Sequence, residues 1–313
     1  MKPDQSIPSH DDTVVPGQST GQHPGNTTRR ATGLGFIAIA LWSLLALFTA
    51  MSGAVPPFQL AALCFLIGGS IGLLDTARRG MLGVWRQRPA VWLLGVGGLF
   101  GYHFFYFTAL RNAPEVEAGL IAYLWPLLII LFSGLLPGET LRTGHVIGGL
   151  IGLVGAVVIV SGGGFDFQTE YGWGYAAAAC CALIWSSYSV LSRRFGDVPS
   201  DIVWFFCLAS GVLALVCHGA FEETRWPATP LQWFAVLALG VGPVGLAFLV
   251  WDRGMKAGNI QLLGAASYAA PVLSTLALIA FGYAEPTPQV LVAAALVTLG
   301  AIIASRAGRT VKG

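Results

Sequence analysis

Charge is scarce in this chain. Only 10% of its 313 residues are Asp, Glu, Lys or Arg, against roughly 25% in soluble domains, and its mean hydropathy is +0.70. The scarcity is sharpest inside the long apolar runs, where no Asp, Glu or Lys falls in the central third. A carboxylate at such a depth is the usual mark of ion coupling or of a cationic ligand, and a buried Lys or Arg that of a phosphorylated one. Neither chemistry is encoded here. The five cysteines, Cys64, Cys180, Cys181, Cys207 and Cys217, lie within apolar runs without metal-ligand spacing and read as packing residues. HExxH and paired intramembrane acids are also missing, so no catalytic residue, metal or cofactor is expected. The first 32 residues have no apolar stretch of the kind a cleaved signal peptide needs. They are polar and rich in Pro, Ser, Gly, Thr and Gln, the composition of a disordered tail. The longest gaps between apolar runs, 78–88 and 219–230, are too short for a folded extramembrane domain.

What the chain has is ten apolar segments, approximately 33–51, 58–77, 89–110, 115–136, 143–161, 172–192, 202–221, 231–251, 259–281 and 288–305. Each matches the roughly 17–25 residues with which a helix crosses a bilayer. Barrel strands would instead alternate over about 10 residues. The gaps taken alternately place Lys2, Arg29, Arg30, Arg78, Arg79, Arg86, Arg88, Arg142, Arg193, Arg194, Arg253, Lys256, Arg306, Arg309 and Lys312 on one side and only Arg111 and Arg225 on the other. Cations accumulate on the cytoplasmic side of membrane proteins, so both termini are expected there. The basic residues therefore mark a membrane face and imply no nucleic-acid partner.

The two halves resemble each other. A shift of 145 superposes Pro126 on Pro271, Tyr123 on Tyr268, Gly119 on Gly264 and Arg111 on Lys256, and a shift of 143 brings Trp42-Ser43 onto Trp185-Ser186. Five spans per half is an odd number, so the copies cross the membrane in opposite senses, a plan common in secondary transporters. The expected organisation is an all-α integral membrane protein of ten helices in two inverted five-helix repeats, 33–165 and 166–306, with tails at 1–32 and 307–313.

This architecture, the Trp-Ser in the middle of the first span, the short third turn and the block AGLIAYLWPLLIILFSGLLPGE ending at Gly138-Glu139 resemble the drug/metabolite transporter superfamily, specifically its EamA-type exporters. The resemblance covers 33–305. GYHFFYFTAL followed by YLWP is most similar to aromatic amino acid exporters within it. The second copy has Ala284-Glu285 in place of Gly-Glu, so no role is carried to that turn. The resemblance implies a multi-pass protein of the bacterial inner membrane, a small-molecule substrate and alternating access.

Tyr102, His103 and Tyr106 share one broad face of the third span, past its middle, where polar groups need internal partners or a wet cavity. With mid-span Trp125, Trp185, Tyr268, Trp42 and Ser43 they are the expected substrate-binding residues. Trp85, Trp173, Trp226 and Trp233 fit an interfacial belt. Pro126 and Pro271 each remove a backbone donor and release a carbonyl four residues earlier, making them expected hinges. Gly144, Gly148, Gly152 and Gly155 read as close helix packing, and Arg111 and Lys256 as snorkelling side chains at span ends. An aromatic cavity without fixed charge suits a small neutral solute, and a zwitterionic amino acid with an apolar or aromatic side chain fits best. Nucleosides, other metabolites or drugs are the alternative cargo. An intramembrane enzyme or a scaffold is the alternative class, though neither has a sequence signature here. The expected partners are that solute and the lipid bilayer, and the expected oligomeric state is a monomer.

Overall fold

The computed structural model describes residues 24–162 and 164–307. Among them every regular element is helical, and ten helical stretches are long and apolar enough to cross a membrane. The first span is α1 (Pro24–Trp42) followed by α2 (Leu45–Met51). The second and third are α3 (Pro57–Arg78) and α4 (Pro89–Asn112). The fourth comprises α5 (Glu115–Ala122) and α6 (Trp125–Ser133), and the fifth is α7 (Thr143–Ser161). The sixth and seventh are α8 (Gly172–Leu191) and α9 (Ile202–Phe221). The eighth runs from α10 (Pro230–Leu239) through a π-turn at Gly240–Leu246 into α11 (Ala247–Ala257). The ninth is α12 (Ile260–Ser267) with α13 (Ala269–Ala280), and the last is α14 (Pro288–Ala307).

Four spans are broken, and each break has a local cause. Pro126 stands second in α6 and Pro271 third in α13, where a proline's missing N–H costs least. Pro243 lies inside the π-turn, a break the sequence reading missed. Beyond it the Ala247 N–H donates to the Gly242 carbonyl, five residues back. The longer register leaves the Pro243 carbonyl for a side chain. The first span breaks at Ser43-Leu44, where the Ser43 hydroxyl donates to the Ala40 carbonyl at 2.6 Å, a short-range bond that competes with the helix.

Two boundaries differ from expectation. Helix α1 begins at Pro24, so 24–32, read as disordered tail, is helical. Hydropathy marks where lipid begins, and a polar turn can continue a helix into water. The Thr32 hydroxyl fixes this turn by donating to the Thr28 carbonyl at 2.7 Å and accepting the Asn259 N–H at 2.9 Å. Residues 1–23 and 308–313 lie outside the described residues. Helix α11 likewise continues past 251 to Ala257, carrying Asp252 into the eighth span. Its carboxylate is 3% exposed and 2.8 Å from Lys256 Nζ.

Helices related by the repeat pack as counterparts: α1 against α11 and α4 against α8, with α3 against α9 and α7 against α14 as the further pairs. The glycines of α7 make the last contact very close. A Cβ on Gly155 would lie 2.9 Å from Val297 Cγ2 and 3.1 Å from the Ala293 carbonyl oxygen.

Burial is uneven along the bundle. Toward the cation-rich face, Ile129, Ile130 and Ser133 of α6 are fully buried. Their repeat counterparts toward the cation-poor face, Ser274, Thr275 and Leu278 of α13, are all partly exposed. Residues 101–108 of α4 are partly exposed on every side as well. The paired half-helices are thus closely packed at the cation-rich, sealed end and less closely packed at the cation-poor, open end.

Candidate functional site

Where the broken spans meet, four indoles gather. Trp42 ends α1 and Trp125 begins α6, while Trp185 and Trp251 lie within α8 and α11. The Trp42 ring centroid lies 5.0 Å from that of Trp251, 5.6 Å from Trp185 and 6.3 Å from Trp125. Trp185 stacks against Trp251 at 6.4 Å, with 19° between the ring planes, and Phe248 packs 5.6 Å from Trp185. Offset and edge-on pairs of this kind contribute about 0.5–1.5 kcal/mol each beyond burial. Two hydrogen bonds fix the orientations. The Trp42 indole N–H donates to the carbonyl freed at Pro243, at 3.0 Å, and the Trp251 N–H to Ser189 Oγ at 3.0 Å.

Tyr102, His103 and Tyr106 form one wall of this cluster. Tyr102 lies 5.5 Å from Trp185 and stacks on Tyr106 at 5.9 Å, with 7° between planes. His103 sits edge-on to Phe65 at 5.0 Å and to Phe248 at 6.2 Å. Its Nδ1 is 2.8 Å from the Leu99 carbonyl, so that nitrogen is a donor and Nε2 is left for another partner. All three side chains remain partly exposed, on the open side of the bundle. The rings themselves carry no charge, the nearest carboxylates being Glu115 beside Tyr106 and Asp252 beside Tyr188, and among the described residues no group of three or more His, Cys, Asp or Glu could hold a metal.

The structure thus brings together Trp42, Trp125, Trp185, Tyr102, His103 and Tyr106. Ser43 is buried beside them with its hydroxyl committed to Ala40. Tyr268 departs from its expected place. It is fully buried among Ala156, Val272, Ala293 and Val297, and its hydroxyl accepts the Leu127 N–H at 3.1 Å. Its ring turns away from the aromatic cluster into the slot that Gly152 leaves open. Trp251 and Phe248 were missed because the eighth span was expected to end at 251, which would have put both at the interface.

The sealed end is held by polar bonds. Arg193, at the end of the sixth span, pairs with Glu139 from the turn after α6 and also donates to the Met255 and Gly258 carbonyls. The other Glu139 oxygen accepts from Gln261 at 2.9 Å. Asp201 takes Arg79 and, at 3.6 Å, Arg253. Lys256, expected to snorkel, pairs with Asp252 and donates to the Val198 carbonyl at 2.9 Å. Its counterpart Arg111 at the open end pairs with Glu222 at 2.8 Å, which also accepts the Phe58 and Gln59 N–H groups.

The sequence pattern of the EamA-like transporter family matches this chain twice, over residues 30–161 and 172–306. The chain belongs to that family. This EamA-like transporter is 57% identical over 282 residues to a protein of Ancylobacter novellus named aromatic amino acid exporter YddG, covering 89% of this chain and 98% of that one. An Escherichia coli protein of the same name is 28% identical over 262 residues, covering 80% and 87% of the two chains. A Streptantibioticus cattleyicolor protein named probable terminal-alkyne amino-acid exporter is 24% identical, covering 85% and 93%. A solved crystal structure with 55% identity superposes with a TM-score of 0.87, over 91% of this chain and 99% of that one. The protein is a multi-pass membrane transporter of a small-molecule substrate.

Proposed function

We propose that this EamA-like transporter exports aromatic and other apolar amino acids across the inner membrane of a bacterium. The observation that carries the reading is an uncharged aromatic box, built by both repeats, whose Tyr102, His103 and Tyr106 wall stays accessible. A substrate ring stacks on indole faces, its ammonium meets the negative face of a ring, and hydroxyls, His103 Nε2 and carbonyls released near Pro126 and Pro271 take the polar ends. The names of the relatives support the same cargo. The fifteen-to-two split of Lys and Arg supports a reading with both termini in the cytoplasm, on which the open end faces outward and the Arg193–Glu139 end inward. Rocking of the repeats 33–165 and 166–306 about Pro126 and Pro271 exchanges the open end. The box is complete within one chain, which supports a monomer as the working unit. Counterflow of labelled phenylalanine in proteoliposomes, competed by a panel of amino acids and nucleosides, tests this. Competition by Phe, Trp and Tyr but not by nucleosides is the expected result, and the reverse order would overturn the cargo.

Transport by this site is facilitative. The box contains no carboxylate, and the buried Asp252 is neutralised by Lys256. His103 is the one imidazole in the box and so its one candidate proton carrier. A pH gradient imposed without a substrate gradient should therefore give no accumulation of phenylalanine. Uphill uptake would defeat the reading. Its loss in His103→Ala would assign the proton to His103, and its persistence would assign it elsewhere, first to Asp252.

A further inference from the structure

The two central tyrosines related by the repeat are in different states. Tyr268 is 0% exposed, and its hydroxyl accepts the N–H of Leu127, the residue after Pro126. The partner break interrupts span four at Tyr123 and Leu124. The Leu127 N–H, which in an unbroken helix would go to the Tyr123 carbonyl four residues back, is instead satisfied by a side chain from the other repeat. Tyr123 is only partly buried and its hydroxyl makes no hydrogen bond among the described residues. The 145-residue shift that takes Tyr268 to Tyr123 takes Leu127 to Val272, the residue after Pro271. The break in span nine is narrower, at Tyr268 alone.

This difference follows the burial pattern. The half-helix whose N–H Tyr268 holds, α6, is packed at the sealed end, with Ile129, Ile130 and Ser133 fully buried. The half-helix that Tyr123 would hold, α13, stands at the open end with its counterpart residues partly exposed. In a protein made of inverted repeats, the opposite access state is approximated by exchanging the conformations of the two copies.

We infer that Tyr268 and Tyr123 are reciprocal positioning residues of the transport cycle: Tyr268 seals the inner half of span four through the Leu127 N–H, and Tyr123 seals the outer half of span nine through the Val272 N–H. One bond is made as the other is broken. Each bond biases one state of a two-state equilibrium, which is the condition for shifting it. The inference rests on the alternating access proposed above.

The test uses Tyr268→Phe and Tyr123→Phe, which keep the ring and remove only the hydroxyl, in chains carrying Ser133→Cys or Ser274→Cys. Position 133 is buried at the inner end and 274 accessible at the outer one. Maleimide adducts at each site, read by peptide mass spectrometry so that native cysteines do not interfere, report the access state. Tyr268→Phe should raise labelling at 133 and lower it at 274, by about fivefold, the shift one net hydrogen bond sustains. Tyr123→Phe should raise labelling at 274 above the parent, and the double variant should return toward the parent. Shifts in the same direction, or none in either variant, would overturn the inference. If Tyr268→Phe does not fold, Tyr123→Phe decides alone: increased labelling at 274 supports the reciprocal role and unchanged labelling ends it. Counterflow on the parent protein separates the two levels, since its absence would remove the proposed function without altering the direction of these shifts.

Discussion

Replacing Trp185 by Ala should abolish phenylalanine counterflow and destabilise the bundle by about 3–5 kcal/mol, the usual cost of truncating a buried Trp. Trp185 is 4% exposed and its ring touches Trp42, Trp125, Tyr102, Tyr188, Phe248 and Trp251. No other ring in the cluster joins so many elements of both repeats. Its loss removes stacking surface for the substrate and the contact that holds α4, α6, α8 and α11 in register. Trp185→Phe separates the two effects. It should retain a sharp thermal transition while weakening apparent affinity by about tenfold, the equivalent of one aromatic contact. Thermal unfolding in detergent and counterflow in proteoliposomes measure both. An Ala variant that melts normally and transports at the parent rate would remove Trp185 from the site.

The second large effect is expected at the sealed end. Arg193→Met should lower stability by about 3 kcal/mol, because Glu139 is left without its cation and two carbonyls lose a donor. Arg193 and Glu139 are 19% and 23% exposed, so water compensates only in part. The same variant should raise labelling of Ser133→Cys from the cytoplasmic side, since Arg193 ties the end of the sixth span to the turns after α6 and α11. Glu139→Gln, which still accepts from Gln261, should cost less. A melting temperature unchanged in Arg193→Met would show that the pair contributes nothing to closure.

The membrane class, span number and expected inverted plan were legible because they rest on two coarse signals, apolar length and the side on which cations fall. Both survive any detail of packing. Much of the aromatic box was legible too, since polar aromatics in mid-span have few alternatives to a shared interior. What escaped depends on contacts. Trp251 and Phe248 were hidden by a span boundary drawn at 251, because hydropathy reports the depth of lipid and the helix continues beyond it to Ala257. The π-turn at Pro243 was overlooked because it has no counterpart in the repeat alignment that drew attention to Pro126 and Pro271. Tyr268 was expected to line the substrate site, yet its ring fills the Gly152 slot while its repeat counterpart Tyr123 stays partly exposed. Sequence symmetry relates positions, and a single access state breaks that symmetry.

The glycine seam between α7 and α14 supplies a fixed frame. With the Gly155 backbone pressed against Ala293 and Val297, neither helix can slide along the other without a collision, whereas four of the other spans are interrupted. Ile147 and Leu299 lie on these two helices and are 45% and 48% exposed. Spectroscopic labels at that pair are therefore a built-in ruler, against which displacements of the inner half-helices can be read in ångströms.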